Sequence, residues 1–399
     1  MDYRFTREEL TKKLYESYYI ARRNKRMSNS QIAFELDLEE NMYSLTEDLL
    51  YRRYQFSPAI CFIVEEKVKR EVFAPQFKDR VVSQLLFSLL NPMFEPCFIE
   101  DSYSCRIGKG TSYGIRRLDH HLRSVTDNYR HLGHVLKMDI SGYFMSIDHI
   151  ILEEIVLTGI ERYAAKTDSV TGRPYREFID IDFIKWLACL FIHRDVKKDC
   201  IRLDTPEQRE GLPSSKSILV QPDGVGLIIG DLCSQLFSNI LGNVLDQYAK
   251  RRLLCRHYGR YVDDSFAVDR DWAFLNCIRE EMTDFVWDRL HMKVHPHKTV
   301  IIPTSEPVPF LGVVIRNGKL FVDRHTVESF DAAARNAAAV LSTSPPAEVF
   351  EHVCQSLNSY LGYLSGFRIT GKLRQEIVVR YNLDIILPFD KDYRKIVLT

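Results

Sequence analysis

Tyr261-Val262-Asp263-Asp264-Ser265-Phe266-Ala267-Val268 sets two adjacent acids between strand-forming residues. Tyr261, Val262 and the run Phe266-Ala267-Val268 favour extended backbone, whereas aspartate tolerates the dihedrals of a tight turn. The stretch therefore predicts a β-hairpin with both carboxylates at its tip. Most Asp-Asp pairs at turns are simply solvated. A third acid in a matching setting changes that weighing: Val135-Leu136-Lys137-Met138-Asp139-Ile140 reads as a buried strand ending on Asp139, with Tyr143-Phe144 just beyond.

Outward from these acids, helical and extended patterns are interspersed without a steady βαβ rhythm, which predicts an α+β fold. Residues 1–55 carry helical apolar spacing. Within them the basic run Arg22-Arg23-Asn24-Lys25-Arg26 precedes an N-cap in Ser28-Asn29-Ser30 and an acidic helix, Gln31–Glu40. Cys61–Pro75 alternates as a hairpin does. Val81, Val82, Leu85, Leu86, Leu89 and Leu90 then share one helical face, and a glycine-bearing loop, Ser102–Gly114, leads into a helix through Leu122. Further helices are expected near His149–Leu157 and Phe183–Phe191, over Cys233–Arg252, and over Trp272–Leu290. An irregular stretch covers residues 197–226. Thr299–Pro303 and Phe310–Ile315 read as strands ahead of a helical tail. Lys250-Arg251-Arg252, with Arg256 and Arg260, reads either as a patch facing nucleic acid or as a solvated helix end favoured by the macrodipole.

The chain has 399 residues, 45% of them hydrophobic, enough for a large core and two or three domains. No apolar run approaches the length of a membrane span, and the N-terminus lacks a signal-peptide pattern, so a cytoplasmic protein without membrane contact is expected. Nine scattered cysteines without a C-x-x-C pair indicate neither a disulfide framework nor a zinc site. His291, His295 and His297 flank Pro296 in a turn and read as structural or exposed. Lysine plus arginine balance aspartate plus glutamate at 54 each. A protein that grips a phosphate backbone unaided usually carries a basic excess, although distribution matters more than the sum.

Carboxylates converging from separate elements are what nucleotidyl transfer by two Mg2+ ions, roughly 3.5–4 Å apart, requires. Such hard ions take oxygen ligands and keep some waters, so two or three aspartates suffice. Asp139-x-x-x-Tyr143-Phe144 followed by Tyr261-x-Asp263-Asp264 resembles the two catalytic motifs of reverse transcriptases. The resemblance implies a right-hand polymerase with an antiparallel palm sheet and a helical thumb. It assigns 1–55 to a helical extension, 56–320 to fingers and palm, and 321–399 to the thumb. Asp139, Asp263 and Asp264 would form the acidic triad for two Mg2+ ions, or Mn2+, with Ile140 as a further metal position. Phe144 takes the steric-gate place, where its ring would crowd a ribose 2′-hydroxyl.

Other segments are similar to the family in the same order. Lys69-Arg70-Glu71-Val72 looks like the fingers strand, with Arg70 clamping the incoming triphosphate as a charge-assisted donor. Ser104–Thr111 resembles the loop that holds template or triphosphate through backbone amides and Arg106. Lys298 matches the lysine that protonates pyrophosphate, and Phe310-Leu311-Gly312 the primer-grip hairpin.

The segment Gly226–Asn239 departs from the common pattern. Ile229 stands where many reverse transcriptases place a glutamine against the nascent base pair, and Gln235 stands where a proline is usual. This G-x-x-x-S-Q form resembles diversity-generating retroelement enzymes and related bacterial defence enzymes, which often carry asparagine where this chain has Asp231. Ile229 cannot donate a hydrogen bond to sugar or base, so weaker discrimination among bases is expected. The resemblance implies an RNA-directed DNA polymerase that copies a partner non-coding RNA in anti-phage defence. The alternative is an error-prone retroelement enzyme. A non-catalytic scaffold is disfavoured by the intact aspartates, and a template-independent palm enzyme by the primer-grip and thumb segments. Expected partners are an RNA template, a DNA product, deoxynucleotides, and either further protein subunits or a second copy of the chain. With the thumb assigned to 321–399, an RNase H, maturase or endonuclease domain is not expected.

Overall fold

In a computed structural model the structure describes residues 3–23, 28–65, 68–367 and 370–397. The chain forms two compact units interleaved in sequence. One holds Met1–Cys105, Met138–Ser265 and Cys277–Thr299; the other holds Arg106–Lys137, Phe266–Asn276 and Val300–Thr399.

The first unit opens with the helices Arg7–Ala21, Asn29–Leu36 and Leu38–Leu50. Thr6 and Glu9 start the first through a capping box, and Ser28 caps the second by accepting from the Gln31 amide. The acidic helix expected over Gln31–Glu40 is in fact broken at Asp37 (φ −119°, ψ 46°). There the Asn41 side chain donates to the Phe34 carbonyl at 3.0 Å, satisfying an acceptor that a continuous helix would have used. Part of the basic run, residues 24–26, lies outside the described residues.

Ala59–Glu65 and Lys69–Ala74 form the antiparallel hairpin, with Val64 opposite Arg70, and Cys200–Arg202 adds a short parallel strand. Two long helices, Phe77–Phe94 and Leu232–Arg251, pack in the same unit with His149–Ala164 and Ile181–Ile192. Their interior is built from Val81, Val82, Leu85, Leu86, Leu236, Phe237 and neighbours, all withdrawn from water. Burial of this apolar area is the main favourable contribution to folding.

In the second unit, Thr111–Thr126 is followed by the strand His134–Asp139, which pairs antiparallel with Val300–Pro303, Lys137 opposite Val300. The strand expected over Phe310–Ile315 is instead two strands, Val308–Phe310 and Val313–Arg316, joined at Leu311 (φ +51°) and Gly312 (φ +79°). A third strand, Lys319–Val322, completes a meander. Asp323 then caps Arg324–Leu341, whose alanine-rich sequence favours helix. That helix packs with Ala347–Ser365 and Gly371–Arg380 around Phe330, Leu357, Leu361 and Ile377. No helix among the described residues is long and apolar enough to cross a membrane.

Candidate active site

Asp139, Asp263, Asp264 and Lys298 all belong to the first unit. Asp139 ends its strand, and the following residues pair with a second segment. The His295 amide donates to the Asp139 carbonyl at 2.7 Å, Ile140 bridges Val294, and the Ser141 amide donates to Lys293 at 2.8 Å. The chain then turns, the Lys298 amide donating to the His295 carbonyl at 3.2 Å, and brings the Lys298 ammonium to 3.0 Å from Asp139 Oδ2. Backbone pairing therefore puts a lysine from 159 positions downstream against the first acid. Ile140 itself is buried.

Asp263 lies between the strands Tyr258–Tyr261 and Asp264–Asp269, and Asp264 opens the second of them. Val262 before them has φ +56°, a left-handed conformation that a β-branched residue rarely adopts. Its carbonyl accepts from Arg260 Nη1 at 2.9 Å. Arg260 in turn makes a two-pronged pair with Asp246, Nε–Oδ1 at 2.7 Å and Nη2–Oδ2 at 2.8 Å, and Tyr258 donates to the same carboxylate. Both members of this pair are fully buried. Arg260 therefore faces no nucleic acid: the reading that grouped it with a basic patch is corrected by its burial and by its partner inside the helix Leu232–Arg251.

That helix is shaped for the hairpin. Asn239, Gly242 and Asp246 fall at helical spacing on one face. Asn239 donates to the Ser104 carbonyl at 2.8 Å, and Asp246 takes Arg260. A Cβ on Gly242 would lie 2.3 Å from the Arg260 guanidinium, so only glycine fits between them. Three residues of polar or minimal type at helical spacing on one buried face are a sequence signal that could have revealed this support.

Burial and then the neighbouring charge of Asp139 push the Asp263 carboxyl above its ordinary value, against its backbone hydrogen bond and the ammonium groups of Lys216 and Lys298. The charge of Asp139, carried on a separate element, thus reaches Asp263. Among the described residues no three Asp, Glu, His or Cys side chains are gathered as ready metal ligands. The donor set of Asp139, Asp263 and Asp264 still fits Mg2+ chemically. It offers hard oxygens, and a cation would relieve a carboxylate that burial and a like charge disfavour.

Phe144 and Ile229 come together on one apolar cluster with Phe73, Met145, Ile218 and Ile228, both half-buried. Gly226 and Leu227 donate back to Ile147 and Phe144, closing the two segments on each other at 2.8 Å each. The Ile229 carbonyl accepts from Phe73 at 2.9 Å, and Gly230 (φ +121°) passes so near the Phe73 carbonyl that a Cβ would meet it at 2.2 Å. Tyr143 packs edge-on against Phe144, ring centroids 5.8 Å apart, and donates to the Ser238 carbonyl at 2.7 Å. Gln235 lines a cavity of about 450 Å³ with Phe62, Val72, Arg80 and Gln84. Asp231 does not face this space as a free charge: buried, it caps Leu232–Arg251 and accepts from Cys233 and from Ser83 Oγ at 2.6 Å.

Arg70 is exposed on its strand, opposite Val64. Arg106 belongs to the second unit, half-buried in the turn whose Lys109 amide donates to its carbonyl at 3.1 Å. Sequence reasoning missed two residues. Glu71, fully buried, accepts from Arg209, from Ser217 Oγ and from the Ile218 amide at 2.8 Å, tying the hairpin to the long connection. Lys216, on that connection, acts electrostatically on Asp263.

No family model matches the chain. YkfC of Escherichia coli (strain K12) is 25% identical over 356 residues, covering 80% of this chain and 81% of that protein. The group II intron-encoded protein LtrA of Lactococcus lactis subsp. cremoris is 22% identical over 283 residues, covering 63% of this chain and 45% of LtrA. Among solved structures, apo telomerase from Candida tropicalis superposes with a TM-score of 0.51 at 13% identity, over 82% of this chain and 59% of that chain. The chain thus spans less than two thirds of LtrA and of this telomerase. The telomerase superposition gives the chain the right-hand polymerase fold, and part of its sequence is similar to LtrA.

Proposed function

We propose that this chain is an RNA-directed DNA polymerase that adds deoxynucleotides at Asp139, Asp263 and Asp264. The observation that carries this reading is the convergence of Asp139 and Asp263 from separate elements, with Lys298 held 3.0 Å from the first. Bound Mg2+, or Mn2+, would activate the primer 3′-hydroxyl and neutralise the leaving pyrophosphate. The protein's own groups orient and select. Lys298 carries a proton beside the reacting centre, in place to pass it to pyrophosphate. Phe144 and Ile229, on one apolar surface, meet the incoming sugar and base, where Phe144 excludes a 2′-hydroxyl and Ile229 offers no polar discrimination. Arg70 is the proposed phosphate ligand.

The role we infer is copying a structured partner RNA in bacterial anti-phage defence. The G-x-x-x-S-Q segment supports it, as does the balanced charge, which suits a polymerase that shares its grip on nucleic acid with other subunits. The apolar Ile229 favours a second reading, mutagenic copying in a diversity-generating retroelement.

The test is deoxynucleotide incorporation by the purified protein, with and without RNA from its native locus, followed by sequencing of the product. Asp139→Ala and Asp263→Ala should each abolish incorporation. Faithful DNA complementary to the RNA supports the first role, and complementary DNA rich in misincorporation the second. Incorporation that survives both substitutions would sink the assignment.

A further inference from the structure

The connection that carries Lys216 is fixed at both faces. On one, the Glu71 carboxylate collects Arg209, the Ser217 hydroxyl and the Ile218 and Leu219 amides, immediately after Lys216. On the other, the turn Ser214–Lys216 rests against the turn that follows Asp139. Gly142 (φ +58°) leaves no space there, because a Cβ would sit 3.1 Å from the Ser215 carbonyl oxygen. The Gln221 side chain closes the same turn, donating to the Ser214 and Ser217 carbonyls at 2.7 and 2.8 Å. Lys216, half-buried, is thereby set beside the turn that follows Asp139, within electrostatic reach of Asp263, while Lys298 pairs with Asp139.

Resting on the polymerase reading, we propose that Lys216 is a second phosphate-binding lysine, which contacts the triphosphate of the incoming nucleotide and then the pyrophosphate product. Carboxylates that bind metal ions no longer need ammonium counter-ions. A lysine anchored through its backbone, with a flexible four-carbon stem, is then free to turn its charge to a polyanion entering beside the same acids. Lys298, mounted on a different segment, serves Asp139, so the two lysines are not redundant. Residues 197–226, irregular in sequence, become the element that brings a cation to the site.

The test compares Lys216→Ala and Lys216→Arg with the parent protein in steady-state incorporation, using inorganic pyrophosphate as a product inhibitor. For Lys216→Ala, the KM for deoxynucleotide and the inhibition constant of pyrophosphate should both rise about ten- to a hundredfold, the usual worth of a charged hydrogen bond. Lys216→Arg should restore most of both. A lysine that only neutralises Asp263 would change thermal stability or kcat and leave both constants within about twofold, and that result overturns the proposal. Failure of the parent protein to incorporate any nucleotide would instead remove the polymerase reading, and this inference with it.

Discussion

The turns bearing Asp139 and Asp263 are held in opposite ways. The Asp139 turn is fixed by backbone pairing to Lys293–His295, and its charge is met by a lysine whose side chain is 59% exposed. The Asp263 turn hangs on one side chain, Arg260, locked to Asp246 at full burial and gripping the carbonyl of a strained valine. The exposed pair can exchange its partner during a reaction cycle, since solvent and other ions replace it at little cost. The buried pair cannot, because either charge left alone in the interior is strongly unfavourable. On the proposed polymerase reading, chemistry and scaffolding are divided between these two ion pairs, one exposed and one buried.

The largest effect expected from breaking this contrast is at Arg260. Arg260→Met strands Asp246 among apolar groups and should destabilise the protein by about 3–5 kcal/mol, read from the midpoint of chemical denaturation. Adding Asp246→Leu should recover most of that loss, while incorporation stays low because Val262 and Asp263 have lost their support. Full stability in the single variant would mean that the pair does not scaffold the hairpin.

A smaller change of opposite sign is expected at Asp263. Its carboxyl is raised by burial and by Asp139, so in the ionised form it opposes folding. Asp263→Asn should stabilise the protein by about 0.5–2 kcal/mol at neutral pH while abolishing activity. The sign with pH follows from the raised value. As pH falls towards the ordinary carboxylate range, the folded chain takes up this proton before the unfolded chain does. The unfavourable contribution of Asp263 therefore shrinks on acidification, and the advantage of the variant should narrow between neutrality and about pH 4. A gap in melting temperature that widens on acidification would contradict this.

The smallest effect on stability is expected at Lys298. Lys298→Ala should change it by less than about 1 kcal/mol, as for other exposed pairs, while lowering incorporation about 10²–10⁴-fold through loss of the proton donor. A stability loss matching that of Arg260→Met would erase the distinction between the two pairs.

Local pattern made much of this legible. Asp139 at the end of an apolar strand and Asp263-Asp264 at a hairpin are readable because alternation and turn chemistry act over a few residues. Long helices such as Leu232–Arg251 are readable for the same reason, through apolar spacing. Apolar pattern alone runs Phe310–Ile315 on as one strand, whereas the family resemblance places a hairpin at Leu311-Gly312, and there the chain does reverse.

By itself, then, the sequence determined which residues carry the acids and which elements present them. Tertiary structure alone decided what each charge meets. Arg260 lies in a basic stretch by sequence, yet burial against Asp246 turns it inward. Lys216 lies in a segment without periodicity, yet Glu71, 146 positions before Ser217, holds that segment beside the site. Periodicity reports which face of an element is apolar. The partner of a buried charge is set by chain closure, over 14 residues for Arg260 and Asp246 and 146 for Ser217 and Glu71, which no periodicity encodes.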